Sequence, residues 1–429
     1  MAKSNLSKDN QVSFWQPLRV RSFLLLFIGE NISLLGDQFF LVALPWLTIQ
    51  LTNSGVSLGT VLMAAAIPRA TLMLLGGVIS DRISPRVVMI VANALRAVIV
   101  ILLTVIVALQ AIQIWHLYLF SVCLGIVDGF FIPASKAIVP SLVQKELLVA
   151  SNTLNQGMNQ LILTLGPAFG GLLIATISIE SAFAIDAATF VFTTIVLLFI
   201  KTSLKPNIES LQTIDDLTPK NPPPLSSKIW SLMTGIREGI NYGWHNLALR
   251  TVLLVVMVYN LAFIGPLQIG VTSLAHSRFP GGAVALGIMN SAWGGGGLLG
   301  ALAPSLCRNI PRLGVLMLIL GTIQGTSLML LGFVPNVALA SVTLVVLGFC
   351  TGFFIVTEIT WIQKQTPPAI LGRVMSLRML SSFGIAPFSF ALAGLLVDLN
   401  LTILFSLTSC IILMLMAWLA VNPSVRAIK

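Results

Sequence analysis

The sequence predicts an all-α membrane protein with twelve transmembrane helices. Three observations support this fold class: hydrophobic residues make up 56% of the 429 positions, charged residues make up only 9%, and long apolar runs recur along almost the whole chain. A soluble domain carries about 25% charged residues, whereas a helix of about 20 apolar residues crosses the hydrocarbon core of a bilayer. We therefore expect most of the folded surface to face lipid.

The predicted spans follow the apolar runs between polar turns. They cover residues 22–49, 56–79, 87–109, 115–138, 151–176, 181–201, 248–275, 283–305, 313–334, 337–360, 371–397 and 401–421. With the N-terminus in the cytoplasm, the loops on that side hold almost all of the loop Lys and Arg residues, and the opposite loops hold only Arg278. This asymmetry satisfies the positive-inside rule. The sequence therefore predicts a multi-pass protein of the cell membrane with both termini in the cytoplasm.

One long polar segment divides the predicted spans into two groups of six. The predicted organisation is a cytoplasmic N-terminus at 1–21, an N-terminal bundle at 22–201, a cytoplasmic linker at 202–247, a C-terminal bundle at 248–421 and a cytoplasmic tail at 422–429. Prolines early in the linker do not permit a regular helix, but apolar residues at helical spacing from Ile229 to Ile240 predict an amphipathic helix on the inner membrane surface. A tether between the bundles is the simpler interpretation of the linker, and a regulatory docking site is the alternative.

Short internal matches relate the two groups of spans to each other. A proline recurs inside the first span of each group, at Pro45 and Pro266, and a Leu-Gly pair recurs near the start of each second span, at Gly59 and Gly287. Repeated units of this kind are typical of secondary transporters. The sequence therefore predicts two six-helix bundles related by pseudo-two-fold symmetry.

Several other functional classes are not supported by the composition. The four cysteines show no CxxC spacing and fall within or at the ends of apolar runs, as small buried residues do. His116, His245 and His276 lie far apart in the predicted topology, and no nucleophile–base pair is apparent. The net charge of +10 is explained by Lys and Arg in cytoplasmic loops. We therefore expect no enzyme activity, no metal, no cofactor and no nucleic-acid partner.

The segment between the second and third spans carries the most specific motif. A glycine at Gly77 is followed four residues later by Asp81-Arg82 and then by Arg86, and this pattern resembles the signature loop of the major facilitator superfamily. The two residues before Arg86 are Ser-Pro, where the superfamily usually has Gly-Arg. The resemblance implies the major facilitator fold and a conformational latch built from Gly77, Asp81, Arg82 and Arg86. An ordinary charged cytoplasmic turn is the alternative.

A second motif lies in the fifth span. Gly166, Pro167, Gly170 and Gly171 resemble the Gly-Pro-x-x-Gly-Gly element of drug–proton antiporters in the same superfamily. Proline removes one backbone hydrogen bond and kinks a helix, while glycines permit close helix crossing. The motif therefore predicts a pivot for the movement of one bundle against the other. Simple close packing between helices is an equally good interpretation.

Further segments along the chain resemble one subgroup of this superfamily, which includes macrolide-efflux and siderophore-export proteins. These segments are residues 32–37, 43–46, 133–134, 235–240 and 371–374. The resemblance covers essentially the full length. It implies export of a bulky, partly apolar solute, driven by the proton gradient.

Charged residues within the predicted spans are the first candidates for proton coupling. A charge at the bilayer centre costs about 2.5–3.5 kcal/mol on insertion scales, and Glu30, Arg69, Arg96 and Asp128 all fall near the midplane of the first bundle. Asp37 lies almost two helical turns beyond Glu30 and therefore faces nearly the same way. The proton-coupling candidates are Glu30, Asp37, Asp128 and Arg69, with Arg69 approaching a carboxylate in one state only. The alternative is a set of permanent ion pairs, which we expect for Arg96 and Asp128.

The second bundle offers a surface suited to an apolar solute. The candidate cavity residues combine aromatic, polar and acidic side chains: Asn260, Met289, Trp293, Phe354, Glu358, Trp361 and Phe383. Aromatic residues in membrane proteins more often face lipid or pack between helices. We therefore expect only two or three of the aromatic residues to line a cavity.

The predicted function is secondary active transport by alternating access. The expected process is proton-coupled export of an amphiphilic small molecule, such as a drug, a macrolide-like compound, a siderophore or another secreted metabolite. The alternatives are a lipid or lysolipid flippase on the same fold and a non-transporting membrane sensor or scaffold. The expected partners are the solute, a gradient of protons or another cation, and the lipid bilayer. We expect a monomer.

Overall fold

The computed structural model describes residues 15–80, 84–200, 247–306 and 313–421, and every regular element in these ranges is helical. The helices are α1 (Arg21–Thr52), α2 (Gly55–Ser80), α3 (Pro85–Ala108), α4 (Ile114–Ile138), α5 (Leu148–Thr176), α6 (Ile179–Phe199), α7a (Leu247–Gly265), α7b (Val271–Arg278), α8 (Gly282–Leu306), α9 (Leu313–Leu331), α10 (Val337–Gln365), α11a (Pro368–Phe383), α11b (Ala386–Leu399) and α12 (Leu401–Val421). A π-helical turn at Pro266–Gly270 joins α7a to α7b, so that these helices form twelve spans.

The twelve predicted transmembrane helices are confirmed. Eleven described segments have both the length and the apolar composition of a membrane span. The twelfth span is α8, whose four consecutive glycines at 294–297 lower its hydropathy. Its 25 residues nevertheless extend about 37 Å at the rise of an α-helix. The predicted linker helix and C-terminal tail lie outside the described residues, as do Asp81 and Arg82 of the predicted latch.

The spans pack as two groups of six. In the first group α1 packs on α5 and α6, α3 packs on α4 and α6, and α2 packs on α4. In the second group α10 packs on α8 and α9, α12 packs on α9, and α7a packs on α11b. Small residues permit these close crossings, since Gly296 and Gly300 of α8 lie directly against the α10 backbone. The two six-helix groups agree with the predicted fold class.

The two groups meet mainly on one side of the membrane. We call the side on which α1 begins the proximal face and the side on which α1 ends the distal face. α5 packs along α8, and α2 packs along α11b, the distal part of the eleventh span, but only touches α11a. Near the proximal end of α5, a Cβ placed on Gly157 would meet no atom within 4 Å. Among the described residues, the groups therefore contact each other toward the distal face and lie apart toward the proximal face.

A carboxylate reinforces the distal contact. Asp398, at the end of α11b, accepts hydrogen bonds from the Ser54 hydroxyl (2.8 Å) and from the backbone N–H groups of Gly55 and Val56. These N–H groups begin α2, where the helix dipole favours a negative charge. His276 of α7b also lies 3.1 Å from the side-chain oxygen of Asn53. Polar groups of the two halves thus satisfy each other at the distal face.

The π-helical turn in the seventh span has an identifiable cause. Pro266 lacks an N–H group and cannot continue the hydrogen-bond ladder of α7a. The Ser389 hydroxyl of α11b inserts at this point, where it accepts from the Gly265 N–H (2.7 Å) and donates to the Leu261 carbonyl (2.7 Å). An inserted side chain of this kind bends a helix.

Two glycines of α5 provide a matched test of the distal contact. A methyl group on Gly171 would overlap the Ala283 carbonyl oxygen of α8, whereas a methyl group on Gly157 would meet open space. We expect Gly171→Ala to abolish transport, because the backbones of α5 and α8 can no longer meet. We expect Gly157→Ala to retain transport and to gain up to about 1 kcal/mol of helix stability. Flux through reconstituted protein checks both, and equal transport by the two variants would contradict this role of the α5–α8 contact.

Candidate functional site

A polar cavity of about 180 Å³ lies within the first half. Its lining comes from α1, α4, α5 and α6 and consists of Glu30, Asn31, Ser33, Leu34, Asp37, Phe131, Ser135, Asn155, Asn159 and Thr193. Glu30 and Asp37 both line it, as their spacing along α1 predicts. A space of this size accepts several water molecules. We call it the acidic cavity.

A buried ion pair lies beside the acidic cavity. Arg96 of α3 is 5% exposed and donates a hydrogen bond to the Asp128 carboxylate of α4. Its guanidinium also stacks over the Phe131 ring at 3.9 Å and lies 5.4 Å from the centroid of the Phe190 ring. Arginine suits this place because its planar group pairs with a carboxylate and stacks on an aromatic face at once. The structure therefore contains the Arg96–Asp128 pair, and its permanence through the transport cycle stays a prediction.

Asp186 of α6 belongs to the same charged cluster and was not identified from the sequence. It is 1% exposed, it packs against α1 at Gly36, and its Oδ1 atom has no hydrogen-bond partner among the described residues. Asp37, Asp128 and Asp186 all interact electrostatically with Arg96. The predicted sixth span placed Asp186 five residues from a membrane face, where a charge costs little. Only the packing of α6 on α1 and α3 reveals its burial.

The structure places Arg69 differently from the sequence-based hypothesis. Arg69 lies half-buried on α2 and, among the described residues, forms no ion pair with Glu30 or Asp37. The guanidinium that acts on Asp37 is that of Arg96. The cause is the order of helices, because α6 packs on both α1 and α3, whereas α2 packs chiefly on α4 and α11b. An approach of Arg69 to the acidic cavity therefore stays a prediction for another conformation.

A second cavity of about 180 Å³ lies between the two halves, and we call it the central pocket. Its lining comes from α1, α2, α5, α7 and α8 and consists of Gln38, Phe40, Leu41, Val42, Leu44, Pro45, Leu62, Leu163, Pro167, Leu267, Gln268, Thr272, Asn290 and Trp293. Apolar walls with a few polar groups are typical of small-molecule sites. α1 contributes to both cavities, with Asp37 in the acidic cavity and its neighbour Gln38 in the central pocket.

The predicted cavity residues of the second half fall in different environments. Trp293 lines the central pocket, and its indole N–H is buried without a partner among the described residues. Met289 is fully buried in the hydrophobic core. The Asn260 amide donates to the Ser382 hydroxyl at 3.1 Å. One helical residue corresponds to a rotation of about 100°, so the central pocket receives Asn290 while Met289 faces the core.

The remaining predicted cavity residues do not line the central pocket. Glu358 is buried and accepts two hydrogen bonds from Arg378, at 3.2 and 3.0 Å. Bidentate pairs of this kind hold both side chains in one geometry. Phe354 and Trp361 pack against the hydrophobic core, whereas Phe383 is 42% exposed. The structure thus places Trp293 in the central pocket and Glu358 in an ion pair.

The described part of the predicted latch contributes a contact within the first half. Arg86, at the start of α3, donates to the backbone carbonyl groups of Leu197 (3.0 Å) and Leu198 (2.7 Å). These carbonyl groups end α6, where the helix dipole favours a positive charge. Gly77 lies in the last part of α2. Arg86 therefore joins α3 to α6, and a latch involving Asp81 stays a prediction.

The glycine-proline motif of α5 lies between both halves. Gly166 and Gly170 pack on Gln38 and Phe39 of α1, while Gly171 packs on Gly287 of α8. The Ala168 N–H donates to the Ser291 hydroxyl of α8 at 2.8 Å. All four motif residues therefore lie at helix contacts or beside the central pocket, as the packing interpretation requires. Their action as a pivot stays a prediction.

Comparison with known proteins agrees with this arrangement of helices and cavities. A family model described as a transmembrane secretion effector matches residues 12–429. The chain belongs to this family. It is thus a membrane transporter of the major facilitator superfamily rather than an enzyme.

Three relatives of this chain are exporters by name. The multidrug efflux pump Tap of Mycolicibacterium fortuitum is 23% identical over 85% of this chain and 86% of Tap. Macrolide efflux protein A of Streptococcus pyogenes is 22% identical over 83% of this chain and 84% of that protein. The enterobactin exporter EntS of Shigella boydii is 26% identical over 83% of this chain and 80% of EntS. The chain is therefore a multi-pass transporter related to exporters.

Solved structures share the fold at lower sequence identity. The nucleoside transporter NupG gives a TM-score of 0.73 at 12% identity, over 95% of this chain and 100% of the NupG chain. A POT family transporter in complex with 5-aminolevulinic acid gives a TM-score of 0.71 at 15% identity, over 97% and 98% of the two chains. These likenesses establish the major facilitator fold alone.

Replacement of Arg96 tests the charged cluster of the first half. We expect Arg96→Met to lower the free energy of unfolding by about 3–5 kcal/mol, because buried carboxylates lose their cation. Arg96→Lys keeps the charge but loses the planar stacking on Phe131, so we expect a smaller loss. Thermal unfolding of the purified protein checks this order.

The exposed cation Lys364, near the end of α10, offers a matched control for the arginine variants. Lys364→Met removes the same charge from a solvated site and is expected to change stability by less than about 0.5 kcal/mol. Equal stability of Arg96→Met and Lys364→Met would show that the cluster does not depend on the guanidinium.

Proposed function

We propose that the protein exports an amphiphilic small molecule across the cell membrane in exchange for protons, by alternating access. The observation that carries this proposal is the position of α1 between the two cavities. Asp37 faces the acidic cavity and Gln38, the next residue, faces the central pocket. A change of charge at Asp37 and a change of occupancy at Gln38 therefore act on the same helical turn.

The charge balance of the cluster supports proton coupling. Asp37, Asp128 and Asp186 all interact electrostatically with one guanidinium, that of Arg96, and Asp128 is in direct contact with it. An unpaired buried charge is expensive in low dielectric, so a buried group that lacks a partner tends to neutralise itself. At least one proton is therefore expected within the cluster. We assign proton exchange to Asp37 and Glu30, because both also face the acidic cavity, and we assign Arg96 as the counter-ion of Asp128.

The separation of the halves toward the proximal face supports alternating access. If the positive-inside rule gives the orientation, the proximal face is cytoplasmic and the described conformation receives solute from the cytoplasm. Release on the distal side then requires the contacts of Asp398 and of α5 with α8 to open. Of the predicted latch residues, Gly77 and Arg86 lie toward the proximal side, and together with Asp81 and Arg82 they would stabilise that second conformation. Gly166 and Pro167 would provide the pivot.

The relatives support a solute of the drug, macrolide-like or siderophore type. The name of each of these relatives refers to compounds of this kind. Drug-sized ligands occupy pockets of about 300–1,000 Å³, so the central pocket of about 180 Å³ would hold one part of such a molecule. The rest would extend into the space between the halves. A monomer suffices for this mechanism, because the pocket is formed by the two halves of one chain.

The alternatives are a lipid or lysolipid flippase and a sensor or scaffold that transports nothing. A sensor has no need of the costly charges around Arg96, so the cluster favours transport. A flippase would move labelled lipid between the leaflets of a vesicle without addition of a water-soluble compound. Proteoliposomes with an imposed pH gradient separate the three possibilities, since a scaffold moves neither solute nor lipid.

Neutral variants of the two cavity acids test proton coupling. We expect Glu30→Gln or Asp37→Asn to abolish export driven by a pH gradient and to leave solute binding unchanged, because the amide retains the side-chain shape but cannot exchange a proton. Uptake into inside-out vesicles measures export, and equilibrium binding to purified protein measures affinity.

Glu146, an exposed acid next to the start of α5, provides the matched control. Glu146→Gln removes a carboxylate in the same way and should transport at the wild-type rate. If export by the Glu30 and Asp37 variants still responds fully to the pH gradient, the assignment of proton coupling to these two acids is wrong.

A further inference from the structure

The central pocket has an unusual polar lining. Its fourteen residues contain no ionisable side chain, but they include three carboxamides and an indole. The carboxamides belong to Gln38 of α1, Gln268 of α7 and Asn290 of α8, and the indole belongs to Trp293 of α8. Both halves of the protein therefore contribute uncharged hydrogen-bonding groups to the pocket.

The structure describes no hydrogen-bond partner for most of these polar groups. The indole N–H of Trp293 is buried and has no hydrogen-bond partner among the described residues. No hydrogen bond joins the side chains of Gln38, Gln268 or Asn290 to another described residue. By contrast, the Thr272 hydroxyl in the same pocket already donates to the Gln268 carbonyl at 2.6 Å. A buried donor without a partner costs about 1–3 kcal/mol, so a solute that supplies an acceptor gains by satisfying it.

The ionisable groups nearby are committed elsewhere. Asp37 precedes Gln38 but faces the acidic cavity, where it interacts with Arg96. Gln38 itself is 3% exposed and packs against Gly166 of α5, and neither Asp37 nor Glu30 is among the residues that line the pocket. A permanently charged solute would thus be desolvated without an opposite charge, which is costly in a low-dielectric site. An uncharged solute meets no such penalty.

We propose that the central pocket selects uncharged amphiphilic solutes with hydrogen-bond acceptors, and that Trp293, Gln38, Gln268 and Asn290 determine this selection. The apolar body of the solute packs against residues such as Phe40, Leu62 and Leu163. Its carbonyl or ether oxygen accepts from the Trp293 indole, and its remaining polar groups pair with the carboxamides. The assignment deepens the proposed export function and depends on it for its biological role, but solute binding can be measured without transport.

A compound collection balanced by charge tests the proposal. It contains equal numbers of neutral, cationic and anionic amphiphiles of similar size, and each amine is accompanied by its uncharged N-acetyl derivative. Binding to the purified full-length protein is measured by thermal stabilisation and then by titration. We expect the compounds whose binding depends on Trp293 to be mainly neutral, and N-acetyl derivatives to bind at least about tenfold more tightly than their parent amines.

Two pocket variants and one control define dependence on the pocket. Trp293→Phe removes the indole N–H donor and keeps an aromatic ring. Asn290→Leu replaces the carboxamide with an apolar side chain of similar size. Each variant should lower the affinity for neutral compounds about three- to tenfold, which corresponds to the loss of one net hydrogen bond. The control Trp418→Phe makes the same Trp-to-Phe replacement on α12, where the side chain is 56% exposed. It should leave the affinity for every compound unchanged. If Trp293→Phe does not fold, Asn290→Leu provides the same comparison.

Two outcomes would overturn the proposal. In the first, most of the compounds whose binding depends on Trp293 or Asn290 are charged. In the second, the binding of no compound depends on either residue. Failure of the export function gives a different result. In that case neutral compounds bind in a Trp293-dependent way, but proteoliposomes move none of them under a pH gradient. The two claims are therefore decided by separate measurements.

Discussion

The buried guanidinium of Arg96 is the interaction on which the interior of the first half depends. It pairs with Asp128, stacks on Phe131 and acts on Asp37 and Asp186, so one cation neutralises part of the charge contributed by α1, α4 and α6. Lipid offers no water to solvate these groups, and any change in one carboxylate must be balanced within the cluster. This constraint makes the cluster stable in only a few charge states. Proton exchange is one way to move between them.

The second half contributes close helix packing in addition to its own ion pair between Glu358 and Arg378. Glycines of α8 permit close contact with both α5 and α10, and the contact with α5 runs alongside the central pocket, from Gly287 against Gly171 to Gly294 against Leu163. The first half therefore contributes the acidic cavity, the second half contributes Trp293 and Asn290, and α1 lies against both. Because Asp37 and Gln38 are adjacent, a small rotation or shift of α1 changes both cavities together. Coupling then needs no relay of side chains across the molecule.

Much of this arrangement was predictable from the sequence, and the remainder has clear reasons. The spans follow from hydropathy, and the shared face of Glu30 and Asp37 follows from helical spacing. Two features depend on which helices are neighbours, which spacing does not reveal: Arg96 rather than Arg69 acts on Asp37, and Asp186 joins the cluster. The central pocket receives Asn290 rather than the adjacent Met289, because the phase of α8 is set by its glycine contacts with α5 and α10.

The central claim is that solute and proton act on the same turn of α1, and proton release on solute binding tests it most directly. The purified protein, in weakly buffered solution with a pH-sensitive dye, is mixed with a saturating neutral compound whose binding depends on Trp293. The account predicts release of protons by the wild-type protein, and a smaller or absent release by Asp37→Asn at full occupancy. Saturating binding without any change in bound protons, at every pH between 5 and 8, would contradict it.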